Sequence, residues 1–258
     1  MNQPLVQIHP NAKIGKSVEV ASFSVIYDDV EIGEGTWIGP NVTLMPGTRI
    51  GKHCRIFPGA VIGAIPQDLK FEGEYSTAEI GDNTTIREFV TVNRGTKVTN
   101  KTIVGSHCLL MAYVHIAHDC VVGNHCIIAN SVQVAGHVLI DDYAILGGSG
   151  GVHQFTKIGK HAMVGAGVIV TKDVPPYTKA ARTPVSYTGI NSIGLRRNAF
   201  SNETIHHIQE IYRILYANGF NNKEAIVFIE QNIKTSPERE EVLRFIKSSE
   251  RGIMRGSV

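Results

Sequence analysis

The sequence predicts a parallel β-helix of hexapeptide repeats followed by a small α-helical domain, and three observations predict it. From Ile8 to Val170 every sixth residue is Ile, Val or Leu, except at the adjacent register positions Asp68 and Glu74. The residue after this aliphatic is often Gly, as at Gly15, Gly33, Gly51, Gly81, Gly105, Gly123 and Gly159. The residue two before it is small or β-branched, as at Ala12, Ser24, Thr36, Cys54 and Ala60. A period of six fits neither a helix near 3.6 nor a lone strand at 2. It is a structural repeat, whose units bury their apolar side only by stacking on one another.

A short strand that turns a corner every six residues closes one triangular coil from three hexads. The large aliphatic and the small residue two before it both point inward. Coils then stack as parallel strands about 4.8 Å apart. Gly after the aliphatic is expected to relieve the backbone at the bend. This pattern resembles the hexapeptide-repeat acyltransferases, whose β-helix is left-handed. That handedness comes from the resemblance, because the general rule for parallel crossovers favours the right-handed sense.

Coils are expected from Ile8 to Ile62. The polar stretch Ala64 to Tyr75 leaves the register, which returns in phase at Ile80. It reads as a loop near 64–79, thrown out from one corner and suited to carrying binding residues on a rigid scaffold. A second excursion surrounds Arg94 to Thr102, where Val98 keeps the period by coincidence. The coils are expected to end near Val174-Pro175-Pro176-Tyr177, since proline cannot donate to a ladder.

We therefore divide the chain into a β-helix domain, 1–190, and a helical domain, 191–258. In the latter, Ser201 reads as a helix N-cap, with Phe200 packing on Ile205 as a staple. Ile205, Ile208, Ile211, Tyr212 and Leu215 form its apolar stripe, and Asn218-Gly219 ends it. A second helix is expected over Lys223 to Ile233, and a third from Ser236-Pro237. Together they would cap the open strand edge of the last coil.

Composition narrows the function. A formal charge of +2 over 258 residues lacks the basic bias of general nucleic-acid binding. No apolar run approaches the roughly 20 residues that span a bilayer, and Met1 to Pro10 has no signal-peptide organisation. A soluble cytoplasmic protein is expected. Cys54, Cys108, Cys120 and Cys126 all occupy the small inward slot and read as apolar filler. Disulfides are not expected in that compartment.

The register also sorts the eleven histidines. His53, His107, His125 and His161 stand at corners and read as exposed turn residues. His115, His118, His137 and His153 fall in successive coils on one edge. Stacking puts His118, Gly136 and Gln154 in one column, with Asp119 beside His137. Several polar groups converge there on a rigid stack.

The strings His115-Ile116-Ala117-His118-Asp119-Cys120, Ala135-Gly136-His137, Val152-His153-Gln154-Phe155 and Asp173-Val174-Pro175-Pro176-Tyr177 resemble the UDP-N-acetylglucosamine O-acyltransferase family of lipid A biosynthesis. Gln67-Asp68-Leu69-Lys70 is similar to that family's substrate loop, and the resemblance runs along essentially the whole chain. It implies transfer of a (3R)-3-hydroxyacyl group from acyl carrier protein to the 3-hydroxyl of UDP-N-acetylglucosamine. It also implies a homotrimer with sites between subunits, and neither metal nor cofactor.

By the same resemblance His118 is the general base, Asp119 orients it, and the Gly136 N–H stabilises the oxyanion. Gln67, Asp68, Lys70, His115, His137, His153 and Gln154 hold substrate, Asn191 and Arg197 touch the nucleotide, and Ala166 ends the acyl groove. Imidazole suits a base that must work near neutral pH. Three positions depart from the pattern: Asn93 replaces a His, Ile193 a Glu and Asn198 an Arg found in relatives.

Rival readings are the N-acyltransferase of the same pathway, which carries an extra N-terminal domain, and a non-catalytic sugar-nucleotide binder. A γ-type carbonic anhydrase would require three histidines ligating zinc across an interface, a set that His115, His118 and His137 could imitate. Gly147 to Gly151 lacks the Lys-Ser/Thr and helix of a phosphate loop, which favours tight coil packing.

Overall fold

Each hexad aliphatic is the second residue of a short strand. Pairing joins it to its equivalent one coil on, as Ile8 to Ile26, Ile14 to Ile32 and Val20 to Ile38. The computed structural model, which describes residues 5–256, thus has three flat faces of nine, eight and eleven strands. The chain runs from sheet 1 through a first corner to sheet 2, through a second corner to sheet 3, and through a third corner back to sheet 1. The β-helix is left-handed.

The aliphatics fill the interior, with Ile38, Leu44, Ile56, Ile116 and Ile128 completely buried. The small slot holds the four cysteines, all free and buried. Hydroxyls in that slot are mostly satisfied across the stack, Thr156 Oγ1 being the exception. Ser24 Oγ donates to the Gly39 carbonyl at 2.7 Å and accepts from the Val42 N–H at 3.1 Å. This matters because an unpaired buried hydroxyl would cost stability.

The corners correct one expectation. The left-handed backbone sits three residues after the aliphatic, at Ser17, Asp29, His53, Asp119 and His137 among others. The glycine directly after the aliphatic is mostly not in that region. It is small for another reason: a Cβ on Gly33 would lie 2.5 Å from the Gly51 carbonyl carbon of the next coil. Coil-to-coil approach, rather than the bend, excludes a side chain there. A second correction concerns His161, which is 4% exposed, unlike the exposed His53, His107 and His125. Phe200 lies edge-on over its ring at 5.0 Å.

Both excursions leave the first corner. One lies between strands Val61–Ala64 and Thr77–Ile80, the other between Thr91–Asn93 and Lys101–Val104. Ile62 pairs with Val92 and Ile80 with Val104, so Val98 is outside the stack and 68% exposed.

The strands do not end at the prolines. Val174 bridges to Ile158, and Thr178–Ala181 then adds to sheet 3 beside Met163–Val164. Ser186–Ile190 pairs antiparallel to it, and Arg255–Gly256 returns as the outermost strand. Pro175 and Pro176 fall on the last second-corner turn, where no further coil would take an N–H from them.

Four helices follow among the described residues: α1 (Ser192–Arg197), α2 (Asn202–Ala217), α3 (Asn222–Asn232) and α4 (Pro237–Lys247). Ser201 and Ser236 cap α2 and α4 by accepting from the Thr204 and Arg239 N–H groups. Asn221 and Glu224 form a reciprocal capping box on α3, a pattern that satisfies two otherwise orphaned donors. The short α1 was not foreseen from the sequence. Tyr212 Oη donates to the Pro176 carbonyl at 2.6 Å, which ties α2 to the end of the β-helix.

Candidate active site

Because both excursions and the His115 to Gln154 segments share the first corner, chemistry-bearing side chains gather on that edge. His118 and Asp119 occupy the two middle positions of one turn. Asp119 has φ of 60° and is 2% exposed. Its Oδ2 accepts from His118 Nδ1 and from Thr96 Oγ1, each at 2.7 Å. Its Oδ1 accepts from the N–H groups of Thr96 at 3.0 Å and Thr99 at 3.3 Å, and from the Thr99 hydroxyl.

Burial pushes the Asp119 carboxyl up, but the donors on Thr99, His118 and Thr96 outweigh it and hold the group below its usual range. An ionised carboxylate only accepts. His118 Nδ1 must therefore carry the proton, which leaves the lone pair on Nε2. This is the tautomer a general base needs.

Gly136 stands one coil on. A Cβ there would lie 2.6 Å from His118 Cε1 and 2.7 Å from Nε2, so only glycine lets the ring rest on this backbone. Among the described residues no main-chain carbonyl accepts from the Gly136 N–H, and no side chain does so either. A donor without a partner lies beside a base with a free lone pair.

His137 crosses His118 almost perpendicularly, ring centres 5.0 Å apart, and stacks on Phe155 at 4.6 Å. Burial holds it below the usual imidazole value against the pull of Asp119 and, more weakly, of Asp68. The Asp68 carboxylate on the first excursion thus acts on the same edge. His115 is lowered by burial and then by His118, and its Nδ1 lies 2.7 Å from Thr91 Oγ1. His153 and Gln154 are exposed, with His153 Nδ1 3.2 Å from the Gln154 carbonyl. Gln67 and Lys70 are exposed on the excursion, where the Lys70 N–H donates to Asp68 Oδ1 at 3.0 Å.

The remaining expected site residues stand apart within one chain. Ala166 is exposed at the third corner. Arg197 is exposed at the end of α1. Asn191 is 4% exposed and its carboxamide is already engaged. Nδ2 donates to the His161 carbonyl at 3.0 Å, and Oδ1 accepts from the Gly194 N–H at 3.2 Å, capping α1. Asn93, the first departure from the family pattern, is buried and anchors the first excursion by donating to the Ile65 carbonyl at 3.1 Å.

His118, Asp119 and His137 bring their donor atoms within 4.8 Å of one another. Within it His118 Nδ1 is hydrogen-bonded to Asp119 Oδ2, His137 Nε2 stands 3.8 Å from that oxygen, and Asp119 Oδ1 is taken by Thr96 and Thr99. His115 is not in it. Thr96, Thr99 and Thr102 were missed from the sequence, although Thr102 Oγ1 also accepts the Asp119 N–H at 2.8 Å. The available signal was an excursion with three threonines one coil before Asp119.

Comparison with known proteins bears on this edge. A family model described as UDP-N-acetylglucosamine O-acyltransferase, domain 2, matches residues 173–254. One for the bacterial transferase hexapeptide repeat matches 29–64 and 101–136. An acyl-[acyl-carrier-protein]–UDP-N-acetylglucosamine O-acyltransferase of Thermodesulfovibrio yellowstonii is 43% identical over 96% of each chain. The Halorhodospira halophila protein of the same description is 45% identical over 97% of this chain and 100% of its own. A solved UDP-N-acetylglucosamine acyltransferase from Bacteroides fragilis superposes with a TM-score of 0.98 at 52% identity, covering 99% of this chain and 100% of that one.

Proposed function

The chain belongs to the UDP-N-acetylglucosamine O-acyltransferase family, and from that premise we infer the reaction, its residues and its assembly. The protein is an acyltransferase of lipid A biosynthesis. It moves an acyl group from acyl carrier protein to UDP-N-acetylglucosamine, and we assign the group as (3R)-3-hydroxyacyl and the acceptor as the 3-hydroxyl. The observation that carries the assignment of residues is the His118 Nδ1–Asp119 Oδ2 bond of 2.7 Å with Gly136 against the imidazole.

In the forward step His118 Nε2 takes the proton of the sugar hydroxyl as its oxygen bonds to the thioester carbon. Asp119 stabilises the imidazolium so formed. The carbonyl oxygen becomes an oxyanion at the Gly136 N–H, a donor worth a large part of the barrier when its geometry is fixed beforehand. Collapse breaks the carbon–sulfur bond, and the departing thiolate takes the proton from His118. No covalent enzyme intermediate and no metal is required. Asp68, Lys70, Gln67, His137 and Gln154 lie on the same edge and suit the sugar and its phosphates.

Ala166, Arg197 and Asn191 lie away from this edge in one chain, as does the helical end as a whole. A homotrimer supplies them from a neighbouring copy, with the acyl chain along the seam, Ala166 at its far end, and His115 and His153 facing the shared site. Asn191 would then act through the position of α1. We assign the reaction to the cytoplasm, which fits four free thiols. No helix among the described residues is long and apolar enough to cross a membrane.

The test is turnover of purified protein with UDP-N-acetylglucosamine and a series of 3-hydroxyacyl carrier proteins. His118→Ala should lower it by at least about 10²-fold without loss of fold, and chelation should leave it unchanged. Ala166→Met should shift preference to shorter chains, since each buried methylene is worth about 0.8 kcal/mol. Near-normal turnover of His118→Ala, or chelated activity restored by zinc, would defeat the reading.

A further inference from the structure

One side of Asp119 is held by a segment for which the reaction as described has no use. The excursion 94–100 gives it four of its donors: two backbone N–H groups and the hydroxyls of Thr96 and Thr99. Thr96 is itself 4% exposed. Its hydroxyl and His118 Nδ1 share Oδ2 at the same distance, whereas the Thr99 hydroxyl is on Oδ1. The excursion is tied down from outside as well. The Lys97 N–H donates to Glu74 Oε1 at 2.8 Å, and its ammonium to Glu72 Oε2 at 3.2 Å.

We infer that Thr96 and Thr99 are positioning residues of the general base, and that Thr96 also sets how strongly Asp119 draws on the imidazole proton. This rests on the assignment of His118 as the base. A carboxylate oxygen that accepts a second hydrogen bond has less charge to offer the first donor. With the Thr96 hydroxyl gone, Oδ2 has only His118, and the imidazolium is stabilised further. The base then becomes protonated at a higher pH, and the poised lone pair on Nε2 is lost sooner on acidification. The Thr99 hydroxyl acts on the other oxygen, so it fixes the rotation of the carboxylate with less effect on its basicity.

Other groups facing the pair are His115 on sheet 1, His137 one coil on, and Asp68 on the first excursion, which acts on His137. None of them is hydrogen-bonded to Thr96, although His137 Nε2 stands 3.8 Å from the same Oδ2. The two backbone N–H groups keep Oδ1 in place when a side chain is exchanged. Thr96 Oγ1 also accepts from the Val98 N–H at 3.3 Å, so Thr96 holds its own loop as well as Asp119.

The test is the pH profile of kcat/KM for the full-length enzyme. Thr96→Val should lower kcat/KM about tenfold near neutrality and move the acid limb up by roughly half a pH unit. Thr99→Val should lower kcat with a smaller move, and Thr96→Ser should restore both the rate and the limb. In an Asp119→Asn background, Thr96→Val should cost nothing further, since residues that act through one group are not additive. An unshifted limb, or an additive loss in that background, overturns the inference. If His118→Ala keeps its activity, the base assignment falls instead. If His118→Ala is inactive and Thr96→Val has the wild-type profile, only the positioning role falls.

Discussion

The first and second corners of this β-helix share one backbone geometry and do opposite things with it. At the second corner the left-handed position carries His107, His125, Tyr143, His161 and Tyr177 in turn. Their rings form a ladder with centres 4.6 to 5.9 Å apart. One residue earlier, the N–H groups of Lys52, Ser106 and Asn124 each find an acceptor on the next coil, at Asp82, Asn124 and Asp142. These three N–H groups are thus paired within the chain. At the first corner the same two positions hold His118 with Asp119 and Gly136 with His137. Stacking shrinks to His137 on Phe155, a His–carboxylate pair appears beside it, and Gly136 leaves bare backbone against the imidazole. The scaffold supplies rigidity at both edges. Function appears where the regular ladder is replaced by a base, its carboxylate and a bare glycine, as is common where stability is exchanged for chemistry.

The largest effect that would break this contrast is at Gly136. Its φ is not in the left-handed region, so Gly136→Ala strains no backbone. It instead drives a methyl into the His118 ring, whose escape would cost the bond to Asp119. Turnover should fall by about 10²-fold or more with the melting temperature nearly unchanged. The matching change at the second corner, Asp142→Ala, removes the acceptor of the Asn124 N–H at 2.7 Å. It should cost about 1 kcal/mol of stability and leave kcat alone. If the two variants exchanged phenotypes, the division of labour between corners would be wrong.

A smaller effect tests the ladder. His161 is stacked between Tyr143 and Tyr177, with Phe200 at its edge. His161→Ala should destabilise by about 2–3 kcal/mol without altering kcat, read by denaturant unfolding. His161→Phe should be far milder, since Phe89 and Phe155 already adopt the same left-handed turn. Burial, helped by Lys160, pushes the His161 imidazole down to about 4. Its folded value lies below the unfolded one, so the unfolded chain binds the extra proton between about pH 6.5 and 4. Stability from this residue should be intact above that window and lost as pH falls through it. His161→Phe should flatten that part of the stability profile, and an equal acid slope in both proteins would place the titration elsewhere.

What the sequence disclosed follows from which positions are constrained. The inward slots admit only residues that fit the interior, so the repeat and the three faces were legible from Ile8 to Val170. The left-handed corner position accepts Ser17, Phe23, Asp29 and His53 alike, so the bend itself left no pattern and was assigned to the glycines. His161 looked equivalent to His125 because a repeat cannot say which coil a helix will cover. The His118-Asp119 motif was readable, and its stacking beside Gly136 followed from the period. The threonine clamp was not, because the path of 94–100 is set by contacts with Asp119 and Glu74 rather than by the hexad. The prolines misled for a related reason: a residue that cannot donate is harmless on the last turn of a stack.

The smallest effect concerns Val98, the one aliphatic that keeps the six-residue period without entering the stack. Val104 fills the real core position, completely buried and paired with Ile80 and Val122. Val98 rides on the excursion that holds Asp119 and is 68% exposed. Val104→Ala should cost about 2 kcal/mol or more, as deletion of buried methyl groups does. Val98→Ala should stay within about 0.5 kcal/mol, with turnover within a factor of two or so of the parent. Both are read by chemical denaturation at a protein concentration where the assembly is intact. A loss at Val98 as large as that at Val104 would mean that a neighbouring copy covers the excursion. The first corner would then be closed from outside, and the exposure that sets this excursion apart from the core would belong to the isolated chain alone.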